Sequence, residues 1–390
     1  MTEIYFLIVG FLLVLAVFDL FVGVSNDAVN FLNSAIGAKV AKYRTVLFVA
    51  SVGILIGAVM SAGMMDVARH GIMRPESYSF SEVMTIFLAV MVTDVVILDV
   101  FNTLGLPTST TVSLVFELLG GTFILAMLKM AADPSLTIYD LLNSDKALSV
   151  IIAIFVSVAI AFFFGVIVQW ISRLIFTFNY KKHLRYTIAI FGGIAFTSLA
   201  YFIFITGIGT SPYISEASRT WIEANTTMLM AVTFVGSTVL MEILHLLRVN
   251  VFKLIVLAGT FALAMAFAGN DLVNFIGVPL AGLDSMQDFL ANGNGQFDTF
   301  MMTSLMSSAK SPLLYLVLAG IIMIIAMTTS KKAQNVVKTS VDLSRQDEGD
   351  EMFGSSGAGP EYRACFVVPR YRNRQCDAAG TEALARETLR

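Results

Sequence analysis

Two polar hexapeptides of the pattern N-D-x-V-N-F interrupt apolar stretches of this sequence, the first beginning at Asn26 and the second at Asn270. Each is followed by an Ile-Gly pair. Carboxylate, amide and carbonyl oxygens are the ligands that hard cations such as Na⁺ prefer, and a carboxylate also binds a proton. One such motif could simply cap a helix. Two copies, each with an acidic side chain, favour cation binding at Asp27 and Asp271.

A hydroxyl-rich segment lies between the two copies, with the sequence L-P-T-S-T-T at residues 106–111. Pro107 lacks an N–H and suits the first turn of a helix. Thr108, Ser109, Thr110 and Thr111 follow it, and then an apolar run begins. Free backbone N–H groups and hydroxyls at a helix N-terminus form an anion site without a fixed charge. The motifs contain no Lys or Arg, so an anion would bind only with cations on the aspartates. This pattern favours cation-coupled anion symport.

The elements that must position these motifs are membrane helices. Apolar residues make up 57% of the 390 residues and charged residues 14%, where a soluble domain carries roughly 25%. We therefore predict an all-α integral membrane protein. The first run has neither the basic flank nor the cleavage site of a signal peptide. The runs long enough to span are Ile4–Val24, Thr45–Met64, Val83–Phe101, Val112–Met130, Leu148–Ile171, Thr187–Ile205, Met228–Leu247, Val251–Ala268 and Pro312–Met327.

Composition also excludes several functions. There are 3 His and the net charge is −3, which argues against a histidine-rich metal enzyme and against nucleic acid as a partner. No nucleophile–base pairing is visible, so we expect neither an enzyme nor a cofactor.

Basic residues concentrate in alternate connections, which places the N-terminus outside the membrane and residue 331 onward in the cytoplasm. Residues 83–130 must then enter and leave on the outer side, as a re-entrant hairpin or a pair of helices. The two Asn-Asp copies have opposite orientations in this topology. That is typical of an inverted-repeat transporter with broken helices and re-entrant hairpins. Leu272–Leu283 and Phe297–Met306 are too short to span and are expected to form buried hairpins or half-helices.

The sequence divides into four segments. Residues 1–130 form the first repeat, 131–250 connecting helices, 251–330 a second repeat, and 331–390 a polar cytoplasmic tail that we expect to be disordered. Both cysteines, Cys365 and Cys376, lie in this tail. No second P-x-S-T-T follows Asn274, and the segment around Thr303 has the wrong order and spacing. We therefore expect an incomplete second repeat in a C-terminally truncated chain that transports poorly or not at all. The alternative is that residues beyond 331 are a regulatory tail.

These motifs resemble those of the inorganic phosphate transporter (PiT) family, which carries two G-x-N-D-V-A-N signatures and two P-V-S-T-T motifs. The match covers residues 4–330, with Thr108 in place of the usual Val and Val112 where many members have His. The resemblance implies phosphate as substrate and Na⁺ or H⁺ as coupling ion. It also implies that Asp27 and Asp271, helped by Asn30 and Asn274, hold the cations, with Na⁺ as the metal ion. The phosphate ligands that it implies are Asn26, Asn270, Thr108, Ser109, Thr110 and Thr111.

Two alternatives stay open beside a phosphate symporter. One is a carrier for another oxyanion such as sulfate, or a Na⁺/H⁺-linked carrier in which the hydroxyls bind cations. The other is a membrane fragment or subunit that does not transport. The expected partners are inorganic phosphate, the coupling cation and membrane lipid. A homodimer is also compatible with the sequence. The expected location is a cell membrane, as a multi-pass protein of the bacterial inner membrane.

Overall fold

Helices form almost all of the secondary structure. The computed structural model describes residues 2–61, 69, 71–176, 184–203, 215–307 and 312–343. Short 3₁₀ helices occur at Pro75–Ser77 and Thr303–Met306, and strands are missing from these ranges apart from isolated bridges. The helices are α1 (Thr2–Asp27), α2 (Val29–Gly37), α3 (Tyr43–Met60), α4 (Phe80–Leu104), α5 (Thr110–Ala132), α6 (Ile138–Leu141), α7 (Ser144–Ile175), α8 (Leu184–Tyr201), α9 (Glu216–Ala224), α10 (Thr226–Leu246), α11 (Val251–Asn292), α12 (Leu313–Thr329) and α13 (Lys331–Leu343).

Seven apolar helical segments in the described ranges are long enough to cross a membrane, with α1 and α2 taken as one. The pair α12 and α13, bent by 66°, brings the number to eight if it is treated as one span. Eight of the nine predicted apolar runs correspond to these segments, with Pro312–Met327 in the bent pair. The predicted span Thr187–Ile205 does not, because the apolar part of α8 in the described residues, Thr187–Tyr201, is shorter. The predicted all-α membrane fold class is therefore confirmed.

Side-chain caps fix several of these helix starts. At α4, the Ser79 N–H donates to Glu82 Oε2 at 2.8 Å while the Glu82 N–H donates to Ser79 Oγ at 3.4 Å, a capping box. Asn250 Oδ1 accepts the Lys253 N–H at 3.1 Å and caps α11. In an apolar environment such caps satisfy N–H groups that have no partner within the helix.

The predicted helix breaks at the two Asn-Asp motifs are wrong. Only Ala28 separates α1 from α2, and its φ and ψ of −54° and −26° are helical. The Ala28 N–H donates to Val24 O and the Leu32 N–H to Ala28 O, both at 3.0 Å, so helical hydrogen bonding continues. The second motif lies inside α11, which runs unbroken for 42 residues and includes the predicted half-helix Leu272–Leu283. The Asn and Asp side chains contact other helices instead of capping their own, so nothing ends the helix there.

Helix α1 packs in parallel with α4. Tyr5 packs on Phe80 with tilted rings and ring centroids 4.9 Å apart, and at the other end Asn26 bonds to Asn102 at 2.8 Å. The difference between the residue numbers of a contacting pair is therefore nearly the same at both ends of the two helices, which is what parallel packing requires. Lys129 of α5 pairs with Glu82 of α4 at 2.8 Å, which makes α4 and α5 an antiparallel hairpin.

Helix α11 packs against both α1 and α3 through glycines. Gly23 of α1 contacts Phe275, and Leu12 contacts Gly282, so α1 and α11 are antiparallel. Gly53 and Gly57 of α3 face the α11 backbone near Phe261 and Met265, and these two helices are parallel. Small residues four apart allow such close approach. The two Asn-Asp motifs therefore lie on helices of opposite direction.

One helix has almost no protein neighbours in the described part of the chain. Of the 32 residues of α7, only Ala147 is buried. Phe155 and Phe162 are among its many exposed apolar side chains. An apolar surface of this size needs lipid or another protein around it.

The start of the predicted disordered tail is corrected by the structure. Residues 331–343 form α13, and its Val336 and Val337 are buried in the same apolar cluster as Leu20 and Phe31. Asn33 Nδ2 also donates to Ser340 Oγ at 3.0 Å. Helix α13 is short and polar overall, but its apolar side chains pack on other helices. Its composition alone did not indicate this contact. The rest of the predicted tail, including Cys365 and Cys376, lies outside the described residues.

Candidate functional site

The hydroxyl motif lies in the turn between α4 and α5. Gly105 ends α4 with a φ of 68°, a left-handed conformation that glycine adopts without strain. Ser109 is the N-cap of α5, and its Oγ accepts the Val112 N–H at 3.3 Å. The predicted helix start is therefore present, and the hydroxyls surround its N-terminus.

Asn26 of the first motif holds this turn. Its Nδ2 donates to Asn102 Oδ1 at 2.8 Å and to the Leu106 carbonyl at 3.0 Å, and its Oδ1 accepts the Thr108 N–H at 2.7 Å. Asn102 in turn donates to the Val22 carbonyl at 2.7 Å. Both N–H donors of Asn26 are thus engaged within the protein. Asn102 was not among the predicted site residues, although it precedes the hydroxyl motif by a few positions.

The two aspartates accept hydrogen bonds from consecutive threonines in the first turn of α5. Thr110 Oγ1 donates to Asp27 Oδ2 at 2.9 Å, and Thr111 Oγ1 donates to Asp271 Oδ1 at 3.2 Å. Asn274 Nδ2 donates to Thr111 Oγ1 at 2.8 Å and to Asp271 Oδ1 at 3.3 Å. The first turn of α5 therefore joins both copies of the Asn-Asp motif, which are far apart in the sequence.

Accessibility separates the members of this group. Asp27 and Thr110 are buried, and Asn274 is nearly so. Asp271 is half-buried, whereas Ser109 and Thr111 are exposed. Asn30 and Asn270 also have exposed side chains and lie outside the hydrogen-bonded network of the described residues. The predicted site residues thus comprise buried side chains that bond to one another and accessible ones beside them.

Charge in this region is negative. The ion pairs formed by the described residues are Arg69–Asp284, Lys129–Glu82 and Lys332–Asp99, and none includes Asp27 or Asp271. Asp99 lies in the same apolar run as Asp94, but it pairs at 2.6 Å with Lys332 near the surface. An anion at α5 would therefore be attracted by N–H groups and hydroxyls, and repelled by the aspartates unless cations neutralise them.

The segment Phe297–Met306 lies at the other end of the bundle. Phe297 stacks on Tyr5 with centroids 4.9 Å apart, close to the start of α1, and Leu305 is buried in the same cluster. Arg69 Nη2 donates to the Ser304 carbonyl at 3.4 Å. Since Asn26 and Asp27 are at the opposite end of α1, the hydroxyls of Thr303 and Ser304 do not complete the group at α5.

A bundle of apolar helices with amides, hydroxyls and unpaired carboxylates gathered inside it defines a multi-pass membrane transport protein. A family model described as the phosphate transporter family matches residues 23–340. The chain belongs to the phosphate transporter family, which agrees with the predicted family and contains transporters rather than enzymes.

A solved structure shows the same fold. The chain is similar to a protein titled "The sodium-dependent phosphate transporter", with a TM-score of 0.63 and 19% sequence identity. The alignment covers 86% of this chain and 78% of that chain. No curated protein gives a significant match.

Proposed function

We propose that the chain is a cation-coupled symporter of inorganic phosphate that binds phosphate at the N-terminus of α5. The observation that carries this proposal is the meeting of both Asn-Asp motifs at Thr110 and Thr111. A helix N-terminus with hydroxyls suits a tetrahedral oxyanion, and paired aspartates suit the cations that must accompany it. Membership of the phosphate transporter family supports phosphate as the anion.

The phosphate ligands are the accessible donors around α5. Ser109, Thr111 and Asn270 have exposed side chains. Thr111 can donate to an anion only by giving up its hydrogen bond to Asp271. The N–H groups of the first turn add donors that no intrahelical acceptor uses. Asn26 and Thr110 contribute by holding Thr108 and Asp27 in place, since their own donors are engaged.

The cations bind at Asp27 and Asp271, with Asn30 and Asn274 as additional oxygen ligands. Each bound cation, Na⁺ or H⁺, removes a negative charge close to the anion site, so cation and phosphate strengthen each other's binding. This coupling is reciprocal, because the two bindings are linked thermodynamically. A gradient of the cation can then drive phosphate uptake.

The proposal includes a location and an orientation. The chain lies in a cell membrane with its N-terminus outside and residue 331 onward in the cytoplasm. The relative directions of α1, α3, α4 and α11 support this arrangement, because each agrees with the alternation of basic connections. Lipid covers the exposed face of α7, or a second copy does so in a homodimer.

Uptake by reconstituted protein tests the proposal. The full chain is purified, placed in liposomes and supplied with labelled phosphate under an inward Na⁺ gradient, a proton gradient or neither. If the hydroxyls of α5 suffice for the site, uptake depends on the gradient and excess sulfate leaves it unchanged. The incomplete second repeat expected from the sequence would instead leave uptake weak or absent. Empty liposomes and liposomes with collapsed gradients are the controls. Uptake that sulfate suppresses would favour another oxyanion, and no uptake above empty liposomes would contradict symport by this chain.

A further inference from the structure

A second group of acidic side chains lies in the interior, away from the Asn-Asp motifs. Asp19 of α1 and Asp94 of α4 are both 0% exposed, and Glu117 of α5 is half-buried beside them. Asp19 precedes Asp27 by two helical turns, a distance of about 12 Å along α1. The parallel register of α1 and α4 brings Asp19 and Asp94 to the same level, within hydrogen-bonding reach of each other.

These carboxylates are without the partners that ionised groups need. Both oxygens of Asp19, both of Asp94 and Oε2 of Glu117 are buried, and no donor among the described residues bonds to them. Ser113 Oγ lies between α4 and Glu117, and its single proton goes to Glu117 Oε1 at 2.7 Å. Two ionised carboxylates can only accept hydrogen bonds, so Asp19 and Asp94 cannot satisfy each other without a proton.

No basic side chain in the described ranges compensates their charge. The charged groups that face them are Glu117 of α5 and Asp27 of α1, and Asp27 in turn faces Asp271 of α11. Helix α12, which also packs on α1, has no acidic or basic residue. Three uncompensated carboxylates would be prohibitively costly in a membrane interior, so a cation must accompany them.

We propose that Asp19, Asp94 and Glu117 form a proton-binding site, distinct from the cation site at Asp27 and Asp271. A proton from solution binds one carboxylate of the Asp19–Asp94 pair, which then donates O–H···O⁻ to the other. A proton is favoured over Na⁺ because it supplies the one hydrogen-bond donor that the Asp19–Asp94 pair lacks. The consequence for transport, a proton carried or sensed during phosphate uptake, rests on the proposed function.

Infrared spectroscopy of the protein in lipid nanodiscs tests proton binding without transport. We expect a carbonyl band of a buried, protonated carboxylic acid to persist at neutral pH. It should disappear in Asp19→Asn and Asp94→Asn, and remain in Asp99→Asn, which removes a carboxylate from the same helix α4 at a surface ion pair. Asn matches the shape of a protonated Asp, so the variants should fold. Asp94→Glu should restore the band and serves as the second variant.

The pH profile of uptake tests the role in transport. Relative to Asp99→Asn, proton-driven uptake should fall at least tenfold in Asp94→Asn, while Na⁺-driven uptake is retained. A neutral-pH band unchanged in Asp19→Asn and Asp94→Asn would overturn the proton site. Absence of phosphate uptake in the wild type would contradict the proposed function alone, because the infrared result does not depend on it.

Discussion

Polar side chains inside this bundle have two different tasks. Asn26 and Asn102 use their amides to connect α1 to the α4–α5 turn, with distances of 2.7–3.0 Å. Asp27 and Asp271 each accept one hydroxyl and retain further oxygens for a ligand. The first task fixes the geometry of the turn, and the second provides chemistry within it.

The carboxylates of the Asn-Asp motifs should be required for coupling. We predict that Asp27→Asn and Asp271→Asn each reduce cation-driven phosphate uptake at least tenfold, because each removes a cation ligand and an ionisable group. Uptake in liposomes under a Na⁺ or proton gradient is the measurement. Asp99→Asn is the matched control, since Asp99 belongs to an exposed ion pair worth little energy. Wild-type coupling in either variant would remove that aspartate from the cation site.

Neighbouring hydroxyls should have separable effects. We predict that Thr110→Val weakens cation binding more than phosphate binding, because its hydroxyl bonds to Asp27, whereas Ser109→Ala weakens phosphate binding more. A hydrogen bond to a charged group is worth about 1.5–3 kcal/mol, roughly a tenfold to hundredfold change in affinity. The apparent affinities for each ion, from uptake kinetics, provide the measurement. Thr110→Ser should behave as wild type, and equal effects on both ions in Thr110→Val and Ser109→Ala would contradict this division.

At the scale of elements, the position of the site depends on the distance between helices α3 and α11. Gly53 and Gly57 place the α3 backbone against that of α11, beside the segment that carries Asp271. A side chain at Gly57 would meet the Met265 carbonyl, and backbone cannot move aside as a side chain can. The glycines therefore help to set the position of the second Asn-Asp motif.

We predict that Gly57→Val destabilises the protein by about 1–3 kcal/mol or more through overpacking. Thermal unfolding in detergent should show a clearly lower midpoint. Gly120→Ala is the matched control, because nothing lies within 4 Å of a Cβ at that glycine. It should leave the midpoint unchanged or raise it slightly, since alanine favours helix over glycine. Equal midpoints for Gly57→Val and wild type would mean that α3 and α11 are not in close contact.

Helix α13 should behave as part of the folded bundle. We predict that Val336→Asp lowers the thermal midpoint, because Val336 is 0% exposed in the apolar cluster that contains Leu20. Deleting residues 359–390 should leave the midpoint unchanged, since that stretch is rich in charge and has no apolar run able to span a membrane. A loss of stability on deletion, or none in Val336→Asp, would contradict this boundary.

At the scale of the whole molecule, successive membrane helices run in opposite directions. Their directions determine which loops lie on the same side of the membrane. The loop between α2 and α3 carries Lys39 and Lys42, and the loop between α5 and α7 carries Asp133 and Asp140. Hydrogen bonds from Ser135 and Thr137 lower the pKa of these two carboxyl groups, so both stay ionised. The two loops should lie on opposite sides, the basic one inside.

Labelling in intact cells can check this orientation. In a background with Cys365→Ser and Cys376→Ser, we predict that an impermeant maleimide labels Ser135→Cys but not Lys42→Cys. Both positions are exposed, so accessibility within the protein does not separate them. Permeabilised cells, in which both should react, are the control. The reverse labelling pattern would invert the proposed orientation.

The sequence by itself determined the fold class, most of the membrane-helix positions and the residue types of the motifs. Apolar runs of membrane length need no tertiary information, because the backbone must satisfy its hydrogen bonds within each helix in lipid. The family resemblance rested on short motifs, and family membership confirms it. The roles assigned to the individual site residues stay predictions.

Only the tertiary structure decided which polar residues meet. In the structure the helices continue through both Asn-Asp motifs, the Asn26 amide donates to the α4–α5 turn, and Asp99 pairs with Lys332. It also brought Asp19, Asp94 and Glu117 together from three helices. Sequence periodicity cannot predict these contacts. An acidic residue in an apolar helix produces the same sequence pattern whether it faces a partner, a ligand or another carboxylate. The register between helices, set by their packed side chains, makes that choice.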